Sequence, residues 1–65
     1  MTEQEFKKGD LVMDADPYKA PEIHYGHGVI LALVDADYVV VFWSKYSLQT
    51  VVRKEYIAKI VEENT

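Results

Sequence analysis

Two apolar, β-rich runs constrain this chain more than anything else in it. Gly26-His27-Gly28-Val29-Ile30-Leu31 opens the first, and Tyr38-Val39-Val40-Val41-Phe42-Trp43 forms the second. Between them stands Asp35-Ala36-Asp37, a short turn of the Asp-x-Asp kind, so the pair reads as a β-hairpin. A hairpin of this length within 65 residues leaves room for little except a small barrel. A chain this short makes one domain, 1–65, near the lower limit at which a core sustains folding unaided.

Small domains often lean on disulfides or zinc, but this chain has no cysteine. A disulfide framework and a thiolate zinc site are therefore excluded. Cysteine-free composition suits a cytoplasmic location. No run approaches the roughly 20 apolar residues of a membrane span, and the acidic start lacks the basic flank of a signal peptide. The initiating Met1 favours a stand-alone protein. With stability resting on a dense core or on association, a monomer or a small homo-oligomer is expected.

Charge is unevenly placed. Residues 1–37 hold eight acids and three bases, and residues 38–65 hold three acids and four bases, which together give the net charge of −4. Nucleic-acid binding depends on neutralising phosphates, so this balance disfavours it. A protein partner is the better expectation.

Along the chain, residues 1–7 read as a frayed start and 62–65 as a frayed tail. Leu11-Val12-Met13 is a short strand after Gly9-Asp10. Asp14 to Tyr25 carries Pro17 and Pro21 and reads as a long loop. His27 to Val34 is the second strand. Its apolar residues occupy both parities, which implies burial on both faces or a sharp bend that Gly26 and Gly28 would permit. Tyr38 to Trp43 is the third strand, Ser44 to Ser47 a turn, and Leu48 to Arg53 the fourth strand. Lys54 to Ile57 reads as one helical or 3₁₀ turn and Ala58 to Val61 as a last short strand. A competing pattern is an amphipathic helix over Val52 to Glu63. The expected core is Val12, Val29, Leu31, Val39, Val41, Trp43, Val52, Ile57 and Ile60, with Val40 and Phe42 as the alternative inward set on the third strand.

Gly9-Asp10-Leu11-Val12, Gly26-His27-Gly28-Val29-Ile30, Val39-Val40-Val41-Phe42-Trp43 and Tyr56-Ile57-Ala58-Lys59-Ile60 together resemble the pattern of small Tudor-like barrels. The resemblance spans residues 8 to 61. It implies an all-β fold: an SH3-like five-stranded antiparallel barrel with a long first loop and a short 3₁₀ turn before the last strand. Such barrels occur at the C-terminus of bacterial helicases, in RNA-polymerase-interacting modules and as short tailed-phage proteins. The resemblance therefore implies a phage or bacterial adaptor docking on a transcription or repair machine.

Candidate chemistry is sparse. Glu22, His24 and His27 form Glu-x-His-x-x-His, but spacing in a loop does not converge ligands and a structural site wants a fourth, so no metal or other cofactor is assigned. Ser44, Ser47 and Thr50 have no orienting base near them in sequence, and a barrel this small has no room for a substrate cavity; a non-catalytic role is expected. Tyr18, Tyr25, Trp43 and Tyr46 are the candidate partner-binding residues. In an SH3-like barrel the first long loop and the third hairpin face one another, so the four could stack on a proline-rich peptide, or cage a methylated ammonium beside Asp14 or Asp16. Lys45, Arg53 and Lys54, interleaved with Tyr46 and Tyr56, are the residues for the alternative of nucleic-acid binding. A further alternative is a structural component that self-assembles through an exposed strand edge. Asp35 and Asp37 are turn formers.

Overall fold

A computed structural model describes residues 5–60 of the chain. Five strands, all paired antiparallel, make up the fold: β1 (Leu11–Asp14), β2 (His27–Leu33), β3 (Tyr38–Trp43), β4 (Leu48–Arg53) and β5 (Ile57–Lys59). Two 3₁₀ turns accompany them, η1 (Pro21–Ile23) in the long loop and η2 (Lys54–Tyr56) before β5. No amphipathic helix forms over the described part of Val52 to Glu63: β4, η2 and β5 occupy it. No helix among the described residues is long and apolar enough to cross a membrane.

The strands form one sheet in the order β4-β3-β2-β1-β5. β4 and β5 are its edges and share no ladder, so strand pairing does not close the expected barrel. β1 lies between β2 and β5, pairing Leu11 with Val29 on one side and Val12 with Lys59 on the other. β3 pairs with β4 without interruption from Tyr38↔Arg53 to Trp43↔Leu48.

The hairpin forms as its sequence dictates. Asp35 Oδ1 accepts the amides of Asp37 at 2.8 Å and Tyr38 at 3.0 Å, so the carboxylate caps the turn that its backbone makes. The β2–β3 register then shifts between Ile30↔Val41 and Ala32↔Val40, leaving Leu31 as an extra residue. This bulge, and not Gly26 or Gly28, is where β2 departs from regular pairing.

The observed core differs from the expected one on β2. Ile30 is fully buried, whereas Val29 is only half-buried and Leu31 is exposed, so before the bulge the inward parity of β2 is the reverse of the one expected, and beyond it Leu33 pairs with inward Val39. On β3 the inward set is Val39, Val41 and Trp43, and Val40 and Phe42 face outward. Val12 and Ile57 complete the expected part, with Val52 packed against it and Ile60 half-buried. Phe6 is an additional member. It falls within the tail expected to fray; residues 62–65 lie outside the described ones. Burying each of the large side chains contributes about 1.5–3 kcal/mol.

Gly28 sits where β2 crosses Trp43. A Cβ there would lie 2.6 Å from Val41 Cγ1, 2.7 Å from Trp43 Cε3 and 2.8 Å from the Phe42 carbonyl oxygen. The position therefore needs glycine for close approach, with no demand on φ.

Candidate functional site

Asp14 is the one buried charged residue of the described chain, and it organises everything around it. It takes the inward position two residues after Val12, where the alternation of β1 would otherwise place an apolar side chain. Its Oδ2 accepts the Lys19 ammonium at 2.8 Å and the Tyr25 amide at 2.9 Å, and its Oδ1 accepts the Asp16 amide at 3.2 Å. Burial alone pushes the carboxyl up. The Lys19 ammonium and the two amides outweigh that and hold it below the ordinary carboxylate range.

These bonds fix the course of the long loop. Asp14 N–H donates to the Gly26 carbonyl at 2.9 Å, closing the loop at its base, and Gly26 permits the closure with φ of +85°. The Ala15 amide donates to the Tyr56 carbonyl at 2.8 Å, tying the loop to η2. Asp16 Oδ1 accepts the Tyr18 amide at 2.9 Å, and the Asp16 carbonyl lies 3.0 Å from His24 Nε2. Loop and η2 are therefore one assembly.

Between this assembly and β4 lies a cleft of about 280 Å³. Tyr25, Tyr38, Val51, Val52 and Tyr56 supply its apolar lining, and Asp14, Asp16, Lys19 and Arg53 its polar lining. Tyr18 stands edge-on to Tyr56 with ring centroids 5.9 Å apart, and is 82% exposed. Arg53 lies over Tyr38 at 5.7 Å and Tyr56 at 6.0 Å, while its Nε meets Glu55 Oε2 at 2.8 Å. The Glu55 carboxylate, with Tyr38, raises the guanidinium further above its ordinary range. A second opening of about 450 Å³ is lined by Phe6, the Ala36-Asp37 turn and η2, and offers no comparable aromatic wall.

No family model, curated protein or solved structure matches this chain.

Of the four aromatics singled out in the sequence, three come together. Tyr25 packs on Trp43 with centroids 5.2 Å apart and meets Tyr46 edge-on at 5.9 Å. Trp43 is fully buried and donates from Nε1 to Thr50 Oγ1 at 2.8 Å, so it supports Tyr25 from beneath. Lys19 Nζ lies 3.8 Å from the Tyr25 ring centroid. The position where an aromatic ring and Asp14 would hold a foreign ammonium is filled by the chain's own lysine. Tyr18 joins Tyr56 instead of this trio.

The basic residues do not converge. Lys45 lies in the turn before β4, over Tyr46 at 5.4 Å, while Arg53 and Lys54 follow one another at the far end of that strand. A six-residue strand spans about 20 Å, so no single phosphate is shared between the two groups. Glu22 and His27 are exposed, and no three potential metal ligands cluster among the described residues.

Tyr38 and Tyr56 are site residues that the sequence argument did not assign to the partner-binding surface. The available signal was topological: a 3₁₀ turn joining β4 to β5 must pass the base of the first loop, because β5 pairs with β1.

Proposed function

We propose that this chain is a non-catalytic protein-interaction module of SH3-like architecture, and that the cleft between its long loop and η2 receives a segment of a partner protein. The observation that carries this reading is the aromatic lining of a groove whose walls are already tied together, Tyr38 and Tyr56 below and Tyr18 at the rim. Tyrosines suit such a role: they give large contact area, few rotatable bonds and a polar tip. An extended segment fits the groove better than a methylated ammonium does, since Lys19 occupies the Asp14–Tyr25 position.

The meander β1 to β4, with β5 returning after a 3₁₀ turn to pair with β1, supports the SH3-like assignment. Together with the Tudor-like pattern of the sequence, it favours a cytoplasmic bacterial or phage adaptor that docks on a transcription or repair machine. Nucleic-acid binding has less support, because Lys45 is remote from Arg53 and Lys54, and Arg53 is paired with Glu55.

The test is capture by the tagged chain from its host, after nuclease treatment, compared with Tyr56→Ala. Partners retained by the native chain and lost by the variant, with the fold intact by circular dichroism, are the expected result. Identical capture by both chains would remove the cleft from consideration, and loss of every partner with nuclease would favour nucleic acid.

A further inference from the structure

The two edges of the sheet are unlike. β5 is three residues long and carries Lys59, as a blunted edge does. β4 runs six residues in unbroken register with β3, without proline or bulge and with Arg53 as its one charged side chain. Folded chains ordinarily blunt an edge of that kind, because its free amides and carbonyls accept an extended segment.

The register says which groups are free. Lys54 N–H donates to the Asp37 carbonyl at 2.8 Å, and the Tyr38 carbonyl accepts Val34 N–H at 3.0 Å on the side of β2. Antiparallel pairs alternate between bonded and non-bonded, so Leu48, Thr50 and Val52 direct their backbone groups to β3. Gln49, Val51 and Arg53 direct theirs away from it, and no other strand of the described chain pairs with that edge.

The same edge opens on the cleft. Val52 lies on the inward side of the sheet, opposite Val39, whereas Val51 and Arg53 lie on the outward side, opposite Val40 and Tyr38. All three line the cleft. An opening that meets both faces of a strand runs along its edge. Charge brackets this edge: Lys45 precedes β4 and Lys54 follows it, and neither enters an ion pair among the described residues. Asp14 is neutralised by Lys19 and Arg53 by Glu55, while Asp16 is turned to its own loop, accepting the Tyr18 amide.

We propose, resting on the reading of the cleft above, that the partner segment binds as an added strand on β4. Its backbone pairs with Gln49, Val51 and the Arg53 amide, and its side chains alternate between Val51 on one face and Val52 and Tyr25 on the other. The occupant is therefore an extended, proline-free stretch, apolar at alternate positions, with carboxylates at its ends to meet Lys45 and Lys54. A polyproline segment would lie against the tyrosines without using the edge, since it has no N–H to offer.

The probe is a displayed library of random peptides about a dozen residues long, selected on the tagged native chain. Selected sequences are expected to hold a proline-free run with alternate apolar residues and flanking acids. The chain is short enough for chemical synthesis, and an N-methyl group on Val51 removes the outward amide while leaving every side chain and the β3 ladder in place. That change is expected to raise the dissociation constant of a selected peptide at least about tenfold. In the native chain, hydrogen exchange at Val51 and Arg53 should be fast and should slow on adding the peptide; this measurement needs no variant and carries the test if the methylated chain fails to fold. Selection of Pro-x-x-Pro sequences, bound equally with and without the methyl group but lost in Tyr56→Ala, would overturn the added strand and leave the cleft in place. Binding indifferent both to the methyl group and to Tyr56→Ala would overturn both. Protection of the Val51 amide in the free chain, growing with concentration, would overturn the proposal by giving the edge to a second copy.

Discussion

Replacing Asp14 by asparagine tests whether one carboxylate holds the long loop in place. Alanine is the cruder change. It would strip the acceptor from Lys19, Tyr25 and Asp16 at once, and losing one partner of a buried pair costs about 3–5 kcal/mol. A 65-residue domain has only about 3–10 kcal/mol of stability at 0.05–0.15 kcal/mol per residue, so alanine risks unfolding everything. Asparagine keeps the shape and one carbonyl oxygen. Oriented to serve Lys19 and Tyr25, which share Oδ2, it turns its NH₂ toward the Asp16 amide. The opposed amide costs about 1 kcal/mol and the lost ionic character of the Lys19 contact about 1 more, discounted because the Lys19 side chain is 24% exposed. The sum is about 2 kcal/mol, which moves the urea midpoint by roughly 1–2 M. Urea titration followed by the fluorescence of Trp43, the single tryptophan, measures it. The pH dependence has a defined sign. Asp14 stays ionised to lower pH when folded than when unfolded, where it titrates at the ordinary aspartate value of about 3.8. Its contribution is complete above about pH 5 and is lost as pH falls through the folded value. The gap between native chain and Asp14→Asn should therefore be widest at neutral pH and narrow in acid. A gap below about 0.5 kcal/mol at pH 7, or one that stays constant down to pH 3, would refute the reasoning.

Two further substitutions probe the sheet. Gly28→Ala places a methyl within 2.8 Å of three atoms, one of them the Phe42 carbonyl oxygen, which cannot move without breaking the β2–β3 ladder; a loss of about 1–3 kcal/mol is expected by thermal or urea unfolding, and unchanged stability would contradict the close crossing. Ile30→Ala and Leu31→Ala separate the two parities of β2: the first should cost about 2–5 kcal/mol and the second under about 1, measured by the same unfolding curves, and equal losses would place the bulge elsewhere.

Much of the fold was legible because β-branched runs and turn chemistry agreed. Tyr38 to Trp43 and Leu48 to Arg53 match β3 and β4 residue for residue, since Asp35 to Asp37 and Ser44 to Ser47 bound them sharply. The parity of β2 was not legible, because His27 to Val34 is apolar at both parities and a bulge at Leu31 leaves no mark in such a run. β5 begins at Ile57, one residue earlier than expected: η2 is three residues long, and Ile57 opposite Asp14 already belongs to the ladder. Phe6 escaped notice because a single aromatic among Glu5, Lys7 and Lys8 has no periodicity around it, and only the turn in which Asp10 accepts the Lys7 amide at 2.8 Å brings it back over the core. Asp14 belongs to β1 and not to the loop expected from Asp14 to Tyr25, because burial of a carboxylate depends on partners five and eleven residues away, which no local pattern displays. Tyr25, Trp43 and Tyr46 were brought together as the fold implied, but burial of Trp43 changed its part from contact to support.

The loop and the sheet are stabilised by different physics, and this bears on how a partner would be held. Ala15, Pro17, Tyr18, Ala20, Pro21, Glu22 and Ile23 are all exposed, so hydrophobic burial gives the loop little. Its conformation rests on the Asp14 bonds, the Ala15–Tyr56 bond, the Asp16 turn and the His24–Asp16 contact. Polar contacts of this kind each contribute about 1 kcal/mol, whereas the sheet is secured by fully buried Trp43, Ile30, Val12, Val39 and Val41. The cleft therefore has one firm wall, β4 with Tyr38, and one wall whose opening costs less than global unfolding. A binding surface held in this way is ordered before its ligand arrives, which lowers the entropy lost on association, yet it can still adjust to the side chains it meets. Because Asp14 lies within the sheet and its bonds reach into the loop, any event that neutralises this carboxylate both loosens the cleft wall and lowers the stability of the sheet that carries it.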